Sequence, residues 1–164
     1  MIYEIIFLTL NTLFINISEN YIHELSHNHK YGGFLYTAHH KHHAIDYPPT
    51  KLMKIKNEMN TDTRKPYVIV IGTGYGIIYT ILPLYYYLIF FVYTSIYLVI
   101  VNELHNHYHY KNSPLKKYKW FLRLRRLHHI HHIKTNKNYN LAFHITDKYR
   151  ESYLNNCDSK YLNG

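Results

Sequence analysis

The stretch "YVIVIGTGYGIIYTILPLYYYLIFFVYTSIYLVIV", Tyr67 to Val101, runs for 35 residues without one charged side chain. One crossing of a bilayer takes about 20 apolar residues, so the run is too long for a single upright helix and slightly short for two. Pro83 lies almost at its centre, where a continuous helix would break. The pattern predicts a tight helical hairpin that dips deeply into a membrane and returns, with Tyr85–Tyr87 near an interface; one long tilted span is the alternative. A second apolar segment, "MIYEIIFLTLNTLFINI" from Met1 to Ile17, carries Glu4 and no basic start. That makes it a poor signal peptide. It predicts a short membrane helix that runs on toward His23. "NEMNTDTRKP", Asn57 to Pro66, is the best candidate for a loop, and no stretch reads as an interdomain linker.

Charge placement supports this reading. The chain of 164 residues has the size of one domain and carries 19 Lys+Arg against 10 Asp+Glu, a net charge of +9. That balance suits a nucleic acid or an anionic membrane surface. None of the basic residues lies in 1–17 or 66–101, whereas seven lie from Lys30 to Lys65 and twelve from Lys111 to Lys160. Charge-free apolar segments alternating with basic ones follow the positive-inside rule, which puts the basic segments in the cytosol. The single Cys157 excludes an intrachain disulfide.

The basic segments are also where the histidines sit. Of 15 His, nearly all fall in four short clusters. Residues three and four apart on a helix share a face. "HELSH" therefore places His23 and His27 one turn apart, and "HNHYH" does the same for His105 and His109. "HHKHH" offers His39, His42 and His43, and "HHIHH" offers His128, His131 and His132. At about 100° per residue, His39/His40/His43 and His128/His129/His132 span the same arc, so spacing leaves both choices open. Each half of the chain thus follows one order: apolar segment, spaced His pair, dense His cluster. Neutral imidazole is the commonest protein metal ligand, and four to six ligands complete one ion. Ten face-sharing imidazoles suit two ions and are too many for one. His29 and His107 point away from their pairs and read as solvated or locally hydrogen-bonded, and His144 stands alone.

HxxxH, HxxHH, HxxxH and HxxHH around a membrane hairpin resemble the fatty acid hydroxylase / sterol desaturase superfamily, integral-membrane oxygenases with two histidine-bound metals. The resemblance covers roughly His23 to Asp147. "HKHHAIDYPPTKL" looks like the branch that hydroxylates fatty acyl chains, and "LRRLHHIHHIKTNKNYNLAFHITDKYRES" is similar to the last box and its tail. Asn140 stands where the family usually has Gly, Thr146 where Trp is common, and Glu151-Ser152 where Gly-Thr often follows. The N-terminal half has one membrane helix fewer than a typical four-helix member.

The resemblance implies one all-α domain over 1–164, with integral membrane helices and a cytosolic helical cap that holds a histidine-rich di-metal site. It favours His39/His42/His43 and His128/His131/His132, giving the ligand set His23, His27, His39, His42, His43, His105, His109, His128, His131 and His132. It further implies two iron ions, which zinc can replace in isolated protein, with dioxygen as co-substrate and a lipid as substrate. The expected product is a hydroxylated acyl chain, and a sterol oxidase or desaturase activity is the alternative. Electrons would come from an external haem donor with its reductase, since 164 residues leave no room for a haem domain. The expected location is the endoplasmic reticulum membrane, as a multi-pass protein. Glu24, Asp46, Glu103 and Asp147 are close enough in sequence to orient imidazole N–H groups.

Two other classes compete. A membrane metal-binding or metal-transfer protein would carry polar residues inside its spans, and the apolar segments lack charge and His there. Nucleic-acid binding would rest on "KNSPLKKYKWFLRLRR", Lys111 to Arg126, where basic residues interleave with Tyr118, Trp120 and Phe121. Next to a membrane span that run reads better as an amphipathic segment on anionic headgroups, so no nucleic-acid partner is expected.

Overall fold

The computed structural model describes residues 2–58 and 65–157, and every regular element in them is helical. Most of the expected loop Asn57–Pro66 lies outside the described residues, as does Lys160. α1 spans Ile2–His27, α2 Gly33–Lys41, α3 Lys65–Ile81, α4 Leu84–His109, α5 Lys119–Ile133 and α6 Ile145–Tyr149. A π-helical turn, His42–Asp46, continues α2 directly.

The helical hairpin is present. α3 stops at Ile81 because Pro83 cannot continue it, and Pro83 instead caps the start of α4 at φ −55° and ψ 143°. Tyr79 faces Tyr87 with ring centroids 5.1 Å apart, Tyr75 faces Phe91 at 4.8 Å, and the Tyr75 hydroxyl meets Ser95 Oγ at 3.0 Å, an antiparallel register. α1 runs in the same direction as α4, with Phe7 against Tyr86 and Thr12 Oγ1 2.8 Å from the Tyr93 hydroxyl. Both helices overrun the apolar segments read from sequence. α1 continues past Ile17 to His27, and α4 continues past Val101 to His109, so each carries a histidine pair on its own last turns.

Two helices, α1 and α4, are long and apolar enough to span a membrane; α3 is apolar but shorter. The burial pattern of α1 is inverted relative to a helix in water, and α4 exposes a row of large apolar residues. α1 buries Asn11, Asn16, Asn20, His23 and Ser26 while Ile5, Leu10, Phe14 and Ile17 are exposed. α4 exposes Leu88, Val92, Ile96 and Val99. A contiguous apolar exterior of this kind requires a non-aqueous surrounding or a partner to cover it.

Tight turns bring the histidine helices together. Between α1 and α2, a Cβ on Gly32 would lie 2.6 Å from the carbonyl oxygens of Leu25 and Asn28, and Gly33 has φ +51°. No other residue type allows both the close approach and the left-handed backbone. Beyond α5, the segment 137–154 folds back over α1. Asn138 and Glu151 both have positive φ, +54° and +58°. Glu151, a position where the family resemblance expects Gly, sits in a backbone conformation that favours glycine. Its exposed side chain has no contact that requires Glu. Glu151→Gly is therefore expected to stabilise the fold by about 1 kcal/mol. That corresponds to a rise of about 2–4 °C in the thermal midpoint of the detergent-purified protein.

Candidate metal centre

All ten histidines of the expected set converge above the helical hairpin. Their side-chain nitrogens form three groups, within each of which the donors lie within 4.8 Å of one another. The first is His23, His27, His39, His43 and His131; the second is His42, His105, His109 and His128; the third, His42, His43 and His132, shares a member with each of the others. These groups can hold metal ions. Each dense triplet is divided rather than used whole. His39 and His43 go to the first group and His42 to the second, and in α5 His131 and His128 separate in the same way. Spacing left two sets of inward rings open in each dense cluster, the resemblance favoured the sets seen here, and neither revealed this division; the first triplet also departs from a regular α-helix at His42. The π-helical turn at His42 widens the backbone there, a device common at functional sites.

The geometry of the rings is that of ligands. In the first group the Nε2 atoms of His27 and His39 lie 2.9 Å apart, those of His23 and His39 3.0 Å, and those of His27 and His131 3.0 Å. In the second, the Nε2 atoms of His109 and His128 are 2.9 Å apart and those of His42 and His105 3.2 Å. His132 Nε2 is 3.1 Å from that of His128. Two nitrogens about 2.1 Å from one ion, at right angles, are about 3.0 Å apart.

Hydrogen bonds among the rings leave part of this donor set unsatisfied. The far nitrogen, Nδ1, of four rings is committed to a backbone carbonyl, which can only accept. His131 donates to Lys137 at 2.7 Å, His109 to Leu52 at 2.7 Å, His132 to Tyr47 at 2.9 Å, and His23 to Tyr139. Each of these neutral rings then presents an unprotonated Nε2 to the centre. The rings facing these four can donate to them, but both nitrogens of His43 are buried without a hydrogen-bond partner, as are Nδ1 of His42 and of His128. A cation is the group that satisfies such a donor set, and imidazole suits iron, zinc, copper or nickel. Burial, reinforced by the neighbouring imidazoles, holds His39, His42, His43, His128, His131 and His132 well below the usual 6.5. They are thus in the neutral form that binds metal.

The remaining histidines are occupied elsewhere. His40 is exposed and stacks on Tyr36 with centroids 5.4 Å apart. His129 is buried but donates from Nε2 to the Tyr108 carbonyl at 3.0 Å. His29 is exposed, His107 bonds Ser113 Oγ at 2.9 Å, and His144 donates to Asp147 at 2.8 Å. The carboxylates expected to orient the rings do so only indirectly. Glu24 pairs with Arg150 at 2.8 Å, Glu103 accepts from Asn102 and Asn106, and Asp46 is buried in the π-helical turn. The orienting acceptors are backbone carbonyls, which no side-chain motif can reveal.

Below the cluster lies a cavity of about 550 Å³ between α1, α3 and α4. Phe14, Ile78 and Phe90 line its apolar part, and His23, His39, His42 and His105 lie on its wall. It therefore meets both principal histidine groups. Glu19, one turn before His23, also lines it and accepts hydrogen bonds from the Tyr97 hydroxyl at 3.2 Å, Asn140 Nδ2 at 3.1 Å and the Leu141 amide at 3.2 Å. Glu19 and the buried asparagines of α1 were missed in the sequence, although three Asn and a Glu within "NTLFINISEN" were visible as polar residues inside an apolar helix.

No family model, curated protein or solved structure matches this chain.

Purified protein is expected to contain about two metal ions per chain by elemental analysis. His42→Ala or His131→Ala should lower that content sharply, whereas His29→Ala, His40→Ala or His107→Ala should leave it unchanged. Equal losses from all five would refute the assignment. Metal-free protein should also be acid-sensitive. The clustered rings bind protons less readily folded than unfolded, so stability is retained above the ordinary value of 6.5 and falls as pH drops below it. Thermal midpoints of the metal-free protein should be level above neutrality and decline steadily from about pH 6.5 downward.

Proposed function

We propose that the protein is a membrane-bound di-iron oxygenase of the fatty acid hydroxylase / sterol desaturase type that hydroxylates a lipid, with a fatty acyl chain as the first choice of substrate. The observation that carries this reading is the cavity. It has a largely apolar wall, it lies against the helices suited to a membrane, and histidines of both groups line it. A pure metal store needs no such chamber. Its volume lies within the range of small-molecule sites, about 300–1,000 Å³.

The ten histidines would hold two iron ions, which when bound supply the activation of dioxygen that attack on an unactivated C–H bond demands. The chain's own residues bind, orient and exclude water. Phe14, Ile78 and Phe90 grip the apolar chain, and His23, His39, His42 and His105 form the wall at which its reacting carbon rests. Tyr67, whose hydroxyl lies 3.3 Å from His39 Nδ1, holds that ring from the cavity side. An external haem donor and its reductase supply electrons. The proposed location is the endoplasmic reticulum membrane with the histidine cluster cytosolic, because the basic segments lie with it.

Cells expressing the protein should accumulate hydroxylated acyl lipid, detected by mass spectrometry, with one oxygen atom from labelled dioxygen. The His42→Ala variant should give none. Iron should support turnover and zinc should not, since zinc has no accessible redox change. If iron-loaded protein with donor, reductase and oxygen leaves acyl lipids and sterols alike unchanged, the oxygenase reading fails and a metal-binding protein remains. Topology has its own check. In sealed microsomes with the cytosolic face outward, an impermeant maleimide should label the half-buried Cys157 without detergent. Labelling only after permeabilisation, in protein whose thiol reacts when solubilised, would overturn the orientation.

A further inference from the structure

The two metal groups are not supported alike. The first draws two of its orienting carbonyls, Lys137 for His131 and Tyr139 for His23, from the short segment that follows α5. The second draws on Leu52, through His109, and the third on Tyr47, through His132; both lie in the segment that follows the π-helical turn. The 137–140 segment has no regular structure of its own. Asn138 anchors one end of it to Leu127 and Leu154, and one carboxylate holds the amides of Tyr139 and Asn140.

Asp147 is fully buried and collects five hydrogen bonds. Oδ1 accepts from the Tyr139 amide at 2.9 Å, Ser152 Oγ at 2.7 Å and Asn20 Nδ2 at 2.9 Å. Oδ2 accepts from the Asn140 amide at 2.9 Å and His144 Nδ1 at 2.8 Å. The Tyr139 peptide is thus held from its amide side by Asp147 while the residue's carbonyl takes the proton of His23. Asn20, bonded to the same carboxylate, is one turn before His23 on α1. Asp147 therefore fixes both the acceptor behind the His23 ring and the helix turn from which that ring projects. None of its five partners touches a histidine of the second group.

We infer that Asp147 is a positioning residue for the first metal group alone, acting through the Tyr139 carbonyl on His23, so that the two ions can be uncoupled by one side chain. The inference rests on the reading that the clusters bind two ions. Partners that orient a ligand ring from behind typically govern metal affinity by about 10–100-fold.

The test titrates cobalt(II) into the metal-free, detergent-purified full chain and follows its ligand-field absorption together with bound metal per chain. Wild type should take up about two ions. Asp147→Asn, which keeps the shape but weakens acceptance from Tyr139 and Asn140, should bind one ion as wild type does and the other about 10–100-fold more weakly, with one set of absorption bands altered. Ser152→Ala removes a single donor to Oδ1 and should weaken the same ion by a smaller factor, which keeps the inference testable if Asp147→Asn does not fold. Asn16→Ala is the control. It removes the bonds to Thr146 and Phe143 that hold the same tail to α1, without touching Tyr139, and it should leave both ions tight. Unchanged binding in both Asp147→Asn and Ser152→Ala, equal weakening of both ions, or the same loss in Asn16→Ala would each overturn the inference. A wild-type chain that takes up no cobalt would instead remove the metal-centre reading itself, and this inference with it.

Discussion

Four backbone carbonyls, those of Tyr47, Leu52, Lys137 and Tyr139, each take the Nδ1 proton of a clustered histidine. Each bond selects one tautomer, locks the ring plane and turns the Nε2 lone pair toward the centre. Without them a neutral imidazole would present a proton or a lone pair with similar ease. With them, four Nε2 lone pairs face the centre of the cluster, where both nitrogens of His43 and Nδ1 of His42 and His128 are buried without a hydrogen-bond partner. The histidine-bearing part of the fold therefore makes sense as a cage that could hold metal ions, because polar atoms left unpaired in a buried site are costly.

The bracing also ties the two halves of the chain together. His23, from the first half, is held by the segment after α5, across 116 residues of sequence. His132, from the second half, is held by Tyr47, across 85. Tyr47 adds a stacked contact on His109 at 3.9 Å, and Lys54 joins the end of α4 through backbone bonds to His109 and Lys111 of 2.8 and 2.9 Å. Neither half can build its histidine group from its own residues. The common order of the two halves, apolar segment, pair and triplet, gives way in three dimensions to an exchange of ligands and supports.

What the sequence made legible follows from periodicity. The hairpin was readable because Pro83 interrupts an uncharged run, and three- and four-residue spacing gave the two pairs and narrowed each dense cluster to two sets of rings, between which the family resemblance chose. The allocation of His42 and His43 to different groups was not readable, since it depends on the π-helical turn and on which helix each ring meets. Nor were the carbonyls, which every residue carries. Asp147 was noted as a nearby carboxylate, yet its importance comes from five contacts that only the folded tail creates. Asn140 and Thr146, read as departures from a family pattern, bond Asn16, Asn20 and Glu19 of α1, so the departures are matched by polar residues on the helix they touch. Such pairwise matching is invisible in one strand of sequence.

The inverted burial of α1 bears on how the protein comes into being. Its buried Asn16 and Asn20 find their partners in residues 140–150, with Asn16 meeting Phe143 and Thr146 and Asn20 meeting Asn140, Asp147 and Arg150. During synthesis α1 emerges more than a hundred residues before these partners. Under the membrane reading, the nascent helix waits in lipid with these amides unsatisfied until residues 140–150 have been made, an unfavourable state. A ribosome that stops before residue 138 would release a chain whose first helix has no tail to receive it.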